Sequence, residues 1–265
     1  MKDMRNDIFK TIRGTSVTAA IRADGTGLLA GTSTALKKAS ELGLRVARMA
    51  PEGEAVSAGD EIARFAGSPV QIAMAEDVLI GCIAKPSGIA TLAHKCVKAA
   101  GDDIKIICGS WKKMPLEMKE MIRRALVVGG AHYRISSKPF VYLDKNYVKM
   151  LGGVQKSLAE VRRFFSDHIL AIQVKGMQHD IAAEAVAAAR LYADIIYIDS
   201  GNPKDIMSVS AALKEKGVRG QVEIAFGGNV RLSDIPFLKT LDVNILGIGR
   251  EIIDAPLLDA RMDVI

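Results

Sequence analysis

Val222-Glu223-Ile224-Ala225-Phe226-Gly227-Gly228 and Val243-Asn244-Ile245-Leu246-Gly247-Ile248-Gly249 decide the fold of this chain. Each reads as a buried strand that stops at glycine, and a helix can follow each, from Ser233 and from Arg250. Tandem strand-Gly-helix units build the phosphate cup at the last two strands of a (β/α) barrel. Glycine lets the backbone approach an anion, and the free N–H groups of a helix start point at it. A phosphorylated small molecule is therefore the expected ligand. The competing reading, that glycines after strands only turn the chain, is weakened by the two units standing one strand apart.

Working outward from those units, the chain alternates strand and helix from Asp103 on. Strands are expected over 104–108, 133–136, 140–143, 169–174 and 195–198, and helices over 115–127, 154–165, 181–191 and 203–216. The strands are continuous apolar runs, as in parallel sheets covered on both faces. This predicts a parallel α/β barrel or open sheet, and the terminal glycines favour the barrel. In a barrel the strand C-termini converge, which would gather Ser110, Lys112, Lys175, Asp199, Gly227 and Gly249. Residues 1–100 read instead as an α+β module of short strands, one helix over 33–42, and two helices over 69–84 and 88–99. Lys85-Pro86-Ser87 is the expected break, with Ser87 as N-cap.

At 265 residues and 49% hydrophobic content the chain can bury a large core. Three cysteines (Cys82, Cys96, Cys108) without a CxxC pair argue against a disulfide scaffold and a structural zinc site. No apolar run is long enough to span a bilayer, and the start Met-Lys-Asp-Met-Arg-Asn-Asp mixes charges unlike a targeting peptide, so residence in the cytoplasm is expected. The net charge of +6 is concentrated: residues 105–149 hold ten Lys/Arg against three acids. Aromatics make up only 5% of the chain and no nucleic-acid motif accompanies the charge, so a pocket for a polyanionic small molecule fits better than nucleic acid.

Further motifs fix a family resemblance. Glu76, Pro86-Ser87-Gly88-Ile89-Ala90-Thr91, Lys112-x-x-Pro115, Gly129-Gly130-Ala131-His132-Tyr133-Arg134, Asn146, Ile198-Asp199, Glu223-x-x-x-Gly227-Gly228 and Gly247-Ile248-Gly249 occur in the order and approximate spacing of quinolinate phosphoribosyltransferase. Gly27-Leu28-Leu29-Ala30-Gly31 and Val56-Ser57-Ala58-Gly59-Asp60 resemble that family's N-terminal module. The resemblance implies an N-terminal α/β sandwich with dimer-crossing helices (1–100) and an open-faced parallel α/β barrel (101–265), the last residues returning to the N-terminal domain. It also implies a homodimer and transfer of a phosphoribosyl group from phosphoribosyl pyrophosphate, with Mg²⁺, to a pyridine nitrogen.

Carried over by position, Lys112, Arg134, Asp199 and Glu223 would be catalytic, with Asp199 also near the metal. Trp111, Lys113, His132, Tyr133, Lys145, Asn146 and Gln173 would line the substrate, and Gly227, Gly228, Gly247 and Gly249 would hold the 5-phosphate. The chain departs from the family pattern at the pocket. Glu76-Asp77 stands where Glu-Arg is expected, Trp111 replaces an arginine, and Gln173 replaces an acid. A bidentate Arg–carboxylate contact cannot be made by Asp or Trp, so the acceptor is expected to differ from quinolinate. Trp111 either stacks on a flat ring or packs in a core or interface. Two alternatives stay open: a sugar-phosphate lyase or aldolase using an imine at Lys175, and a catalytically impaired mononucleotide-binding homologue.

Overall fold

A computed structural model describes residues 4–176 and 179–265. In chain order the elements are α1 (Arg5–Ile8), β1 (Val17–Ala23), β2 (Gly27–Leu28), α2 (Thr32–Glu41), β3 (Arg45–Met49), β4 (Ala55–Val56), β5 (Glu61–Gly67) and α3 (Pro69–Ala100). Then come β6 (Lys105–Ile107), α4 (Leu116–Val128), β7 (Phe140–Leu143), α5 (Lys145–Met150), α6 (Val154–Arg162), β8 (Ile169–Val174), α7 (Ile181–Arg190) and β9 (Ile195–Ile198). The chain ends with α8 (Pro203–Glu215), β10 (Glu223–Phe226), α9 (Ile235–Leu238), β11 (Ile245–Gly247), α10 (Arg250–Ile253) and β12 (Ala260–Val264).

Two compact units result. The first comprises Met1–Lys95, Trp111–Gly130 and Ile252–Ile265, and the second Cys96–Ser110 and Ala131–Glu251. In the first, an antiparallel sheet runs β12-β1-β5-β3, and β2 pairs with β4. Its core joins Ile21, Ile62 and Phe65 of the sheet to Leu79 and Ile83 of α3, all fully buried. Each such side chain contributes about 1.5–3 kcal/mol of burial. Glu52, in the turn after β3, accepts from the Gly31 and Ser33 amides and so caps α2.

The expected break at Lys85-Pro86-Ser87 does not occur, since α3 runs unbroken through Pro86. Tertiary bonds replace what the proline removes. Ser87, instead of capping a helix, is buried and accepts from the Ala30 amide at 2.9 Å, and Thr91 Oγ1 accepts from the Leu28 amide at 2.9 Å while donating to Ser87 O at 2.7 Å. The Cys82 carbonyl, four residues before the proline, abuts Gly31, where a Cβ would overlap it. Gly88 lies against the Pro256 carbonyl in the same way. The Pro-Ser-Gly-Ile-Ala-Thr motif thus fastens α3 to the segment around β2 and to the returning C-terminal chain.

In the second unit six parallel strands run β6-β11-β10-β9-β8-β7 and curl into a half-barrel. Ile107, Ile135, Ala171, Ile195, Ala225 and Ile245 fill its inner face. The expected strand at 133–136 does not form; one parallel bridge, Ile107 with His132, precedes it, after which the chain leaves the ladder. Asp144, Asp180 and Asn202 cap α5, α7 and α8 through their side-chain oxygens, and α5 starts directly after the end of β7.

Candidate active site

The parallel register of the second unit decides which polar residues meet. Gln173 pairs with Tyr197 and Val174 with Ile198, so the next residues, Lys175 and Asp199, emerge side by side past the strand C-termini. Asp199 Oδ2 takes a 2.6 Å hydrogen bond from Gln173 Nε2 and lies 3.4 Å from Lys175 Nζ. Gln173 is almost wholly buried, and its Oε1 accepts from the Lys145 amide at 2.6 Å. One amide therefore ties the end of β8 to Asp199 and to the first turn of α5, where Asn146 also lies. Lys175, at the strand end, has its ammonium beside a carboxylate rather than in the apolar surroundings that turn a lysine into an imine-forming nucleophile.

The glycine loops meet at the same rim. Gly227 donates to Ile198 O at 2.9 Å and its carbonyl accepts from Gly201 at 3.0 Å, so its amide belongs to the ladder rather than to a ligand. Gly228 (φ +105°) and Gly201 (φ +71°) are packed so closely that a Cβ on either would overlap the other's backbone. Gly249 sits against Ser110 at the end of β6, where a Cβ would meet Ser110 Oγ. The amides of Gly228 and Gly249 take no partner among the described residues and are the ones available to an anion. Gly227 and Gly247 serve a different need: a Cβ on either would overlap the Tyr197 hydroxyl beneath them. Tyr197 packs edge-on against Tyr142 with ring centroids 6.0 Å apart. Burial, reinforced by Asp199, pushes both phenols well above their usual range.

Glu223 and Arg134 stand near the starts of strands. Glu223 begins β10, whereas Gly227 follows its end, so the two are separated by about 13 Å of strand. Glu223 lies instead on a cavity of about 420 Å³ at the strand N-termini, shared with Lys105, Ser136, Lys138 and Asp194. Lys105 there donates to Ile135 O at 2.6 Å, and burial holds its ammonium below the usual lysine range although Glu223 opposes the shift. Arg134 stacks its guanidinium 5.0 Å over Phe140, the first residue of β7. His132 is held below the ordinary histidine value by desolvation of its packed side and then by Lys105. Tyr133 follows it as the chain leaves the ladder.

Trp111, Lys112 and Lys113 belong to the first unit, on a short turn before α4, with both lysines exposed. The Trp111 ring is covered on one face by the Arg123 guanidinium at 5.0 Å. Asp77 lies on the exposed side of α3 and is paired with Arg5. Among the described residues no three His, Cys, Asp or Glu side chains cluster as a metal site, and no helix is long and apolar enough to cross a membrane.

This architecture and rim match a known family over nearly the whole chain. The family models "Quinolinate phosphoribosyl transferase, N-terminal domain" and "C-terminal domain" match residues 7–87 and 89–263. The chain belongs to the quinolinate phosphoribosyltransferase family. Among relatives of this family member, a probable carboxylating nicotinate-nucleotide pyrophosphorylase of Methanothermobacter thermautotrophicus is 24% identical, over 89% of the chain and 84% of the relative. The carboxylating nicotinate-nucleotide pyrophosphorylase of Homo sapiens is 27% identical, over 91% of the chain and 80% of the relative. The crystal structure of nicotinate-nucleotide pyrophosphorylase from Pyrococcus furiosus superposes with a TM-score of 0.86 at 21% identity, covering 98% of this chain and 72% of that one. Membership of this transferase family sets aside the lyase reading of Lys175.

Gln173, Lys145, Asn146 and Asp199 are thus gathered at one rim with the glycines. Lys175, Gly201, Ser110 and Tyr197 join them there. Period-two alternation carried a usable signal for two of these, because Tyr197 shares a strand face with Asp199, and Lys175 with Gln173.

Proposed function

We propose that the protein transfers a phosphoribosyl group from phosphoribosyl pyrophosphate to a ring nitrogen of a heterocyclic acid, releasing pyrophosphate. The observation that carries this reading is the rim of the half-barrel. Two strand-end glycine loops there face an aspartate held by an amide and a lysine. In this reading the Gly228 and Gly249 amides take the 5-phosphate, and Asp199 holds the ribose hydroxyls. Lys175 and Lys145 take negative charge at the rim. The departing pyrophosphate carries charge that must be stabilised as it leaves.

Mg²⁺ would arrive on the pyrophosphate, as this ion usually does when bound through one or two carboxylates plus substrate phosphates. Asp199 suits it, because only its Oδ2 is engaged by described residues. When bound, the ion neutralises the leaving group. The acceptor is a heterocycle other than quinolinate: Asp77 is a carboxylate already paired with Arg5, and the Trp111 ring faces Arg123, so neither offers the guanidinium fork that a pyridine dicarboxylate calls for. The working assembly is a homodimer in the cytoplasm.

Isothermal titration with phosphoribosyl pyrophosphate and Mg²⁺ tests the donor site, and absence of binding at millimolar ligand refutes it. Pyrophosphate release measured across pyridine mono- and dicarboxylates tests the acceptor, and turnover with quinolinate as the best substrate refutes that part. Donor binding without release on any acceptor would instead favour a nucleotide-binding homologue. Light scattering on the eluting protein tests the dimer.

A further inference from the structure

Tyr197 places an aromatic hydroxyl at the glycine loops of the half-barrel. It projects from β9 opposite Ala225 of β10, yet its hydroxyl reaches past that strand to lie against both Gly227 and Gly247. The ring is held in this pose by the edge contact with Tyr142 and by the apolar inner face. Two positions on neighbouring strands thus lack a Cβ where this one oxygen needs room. The hydroxyl itself makes no hydrogen bond to any described residue. The ring is packed while the hydroxyl stays accessible at the rim, so a ligand oxygen can take the place of water on it. Because its surroundings keep it protonated, it can act as a donor throughout the physiological pH range.

We infer that the Tyr197 hydroxyl is a ligand-binding donor, forming the floor of the anion site whose walls are the Gly228 and Gly249 amides, and that it bonds a non-bridging oxygen of a sugar phosphate monoester. The inference rests on the proposed reading of that rim as the 5-phosphate site and adds a side chain to it. A monoester suits three converging donors, since it offers several acceptor oxygens and a negative charge, and hydrogen bonds to a charged acceptor are the stronger kind.

The test compares wild type and Tyr197→Phe by isothermal titration with ribose 5-phosphate and with phosphoribosyl pyrophosphate plus Mg²⁺, alongside urea unfolding of each protein. The expected result is affinity weakened about tenfold or more for both ligands, as for loss of one charge-assisted hydrogen bond, with an unchanged urea midpoint. Equal affinity in the two proteins would overturn the role of Tyr197 and leave the phosphate site standing. A clear fall in the urea midpoint would also overturn it, because the hydroxyl would then have a partner within the protein. If wild type binds neither ligand, the phosphate-site reading fails and the inference with it.

Discussion

Replacing Gly247 by alanine should destabilise the protein, and removing the hydroxyl of Tyr197 should restore much of the loss. Gly247 has no left-handed backbone angle, so an added methyl costs nothing in conformation and its whole effect comes from neighbours. The nearest is the Tyr197 hydroxyl, far inside contact distance; behind it stand Tyr197 Cζ at 3.2 Å and Phe226 O at 3.5 Å. Overpacking of a rigid site costs about 1–3 kcal/mol, so Gly247→Ala alone should lose about 2 kcal/mol. Tyr197→Phe removes the one atom that must move and leaves contacts near ordinary packing. The double variant should then recover more than half the loss, a coupling of about 1–1.5 kcal/mol between residues in contact. Gly227→Ala provides an internal contrast. There Tyr197 Cζ and Cε1 would stand at 2.9 and 3.0 Å even without the hydroxyl, so rescue should be much weaker. Urea unfolding followed by circular dichroism of the three single and two double variants measures both couplings. Additive losses at Gly247, or equal rescue at both glycines, would refute the placement of Tyr197 between the two loops.

Three other outcomes follow from the same structure. Ser87→Ala should cost about 1–3 kcal/mol, because it leaves the Ala30 amide without its acceptor in a fully buried site; a loss below 0.5 kcal/mol in urea unfolding would contradict the role given to that serine. Asp242 is held well below the ordinary carboxylate range, chiefly by hydrogen bonding from Arg219, whose guanidinium also reaches Asn244 Oδ1 and Val222 O. Its folded value lies below its unfolded one, so its stabilisation is full above the unfolded value and disappears as pH falls toward the folded value. Wild type should lose stability between pH 4 and pH 2 more steeply than Asp242→Asn, and parallel pH profiles would disprove the assignment. Burial pushes the Cys96 thiol up to about 12; it raises the Cys82 thiol as well, against Lys38, but Cys82 is only partly buried. At pH 8 a thiol reagent should therefore modify Cys82 in the native protein and reach Cys96 only on unfolding, as peptide mass mapping would show.

The chain's architecture was legible where one physical signal acted alone. Continuous apolar runs marked β8, β9, β10 and β11, because a parallel strand covered on both faces has no polar alternation to confuse with anything else. It was misread where a local rule met a tertiary one. Pro86 predicts a break from backbone chemistry alone, and the bonds that tie Ser87 and Thr91 as α3 passes it come from residues about sixty positions earlier. His132 likewise bridges to Ile107, but Arg134 turns to the Phe140 ring, so the expected strand does not form.

The site shows the same division between kind and position. Glu223 and the phosphate glycines are close in sequence, yet the length of a strand separates one end of the barrel from the other, and Glu223 shares its end with Lys105. Lys175, Gln173, Tyr197 and Asp199 are far apart in sequence, yet the register that pairs Gln173 with Tyr197 makes their meeting obligatory. That register also explains how an amide comes to stand where the resemblance led one to expect an acid. Gln173 touches Asp199 through a donor, whereas a carboxylate there would place two negative oxygens at hydrogen-bond distance and would require a shared proton or a bound cation to persist. The amide and the Lys175 ammonium let Asp199 hold its position in the unliganded protein. Gln173→Glu should therefore bind phosphoribosyl pyrophosphate more weakly in the absence of Mg²⁺ than wild type does, and recover a larger share of its affinity when Mg²⁺ is added. An identical Mg²⁺ dependence in the two proteins would mean that Gln173 does not act through Asp199.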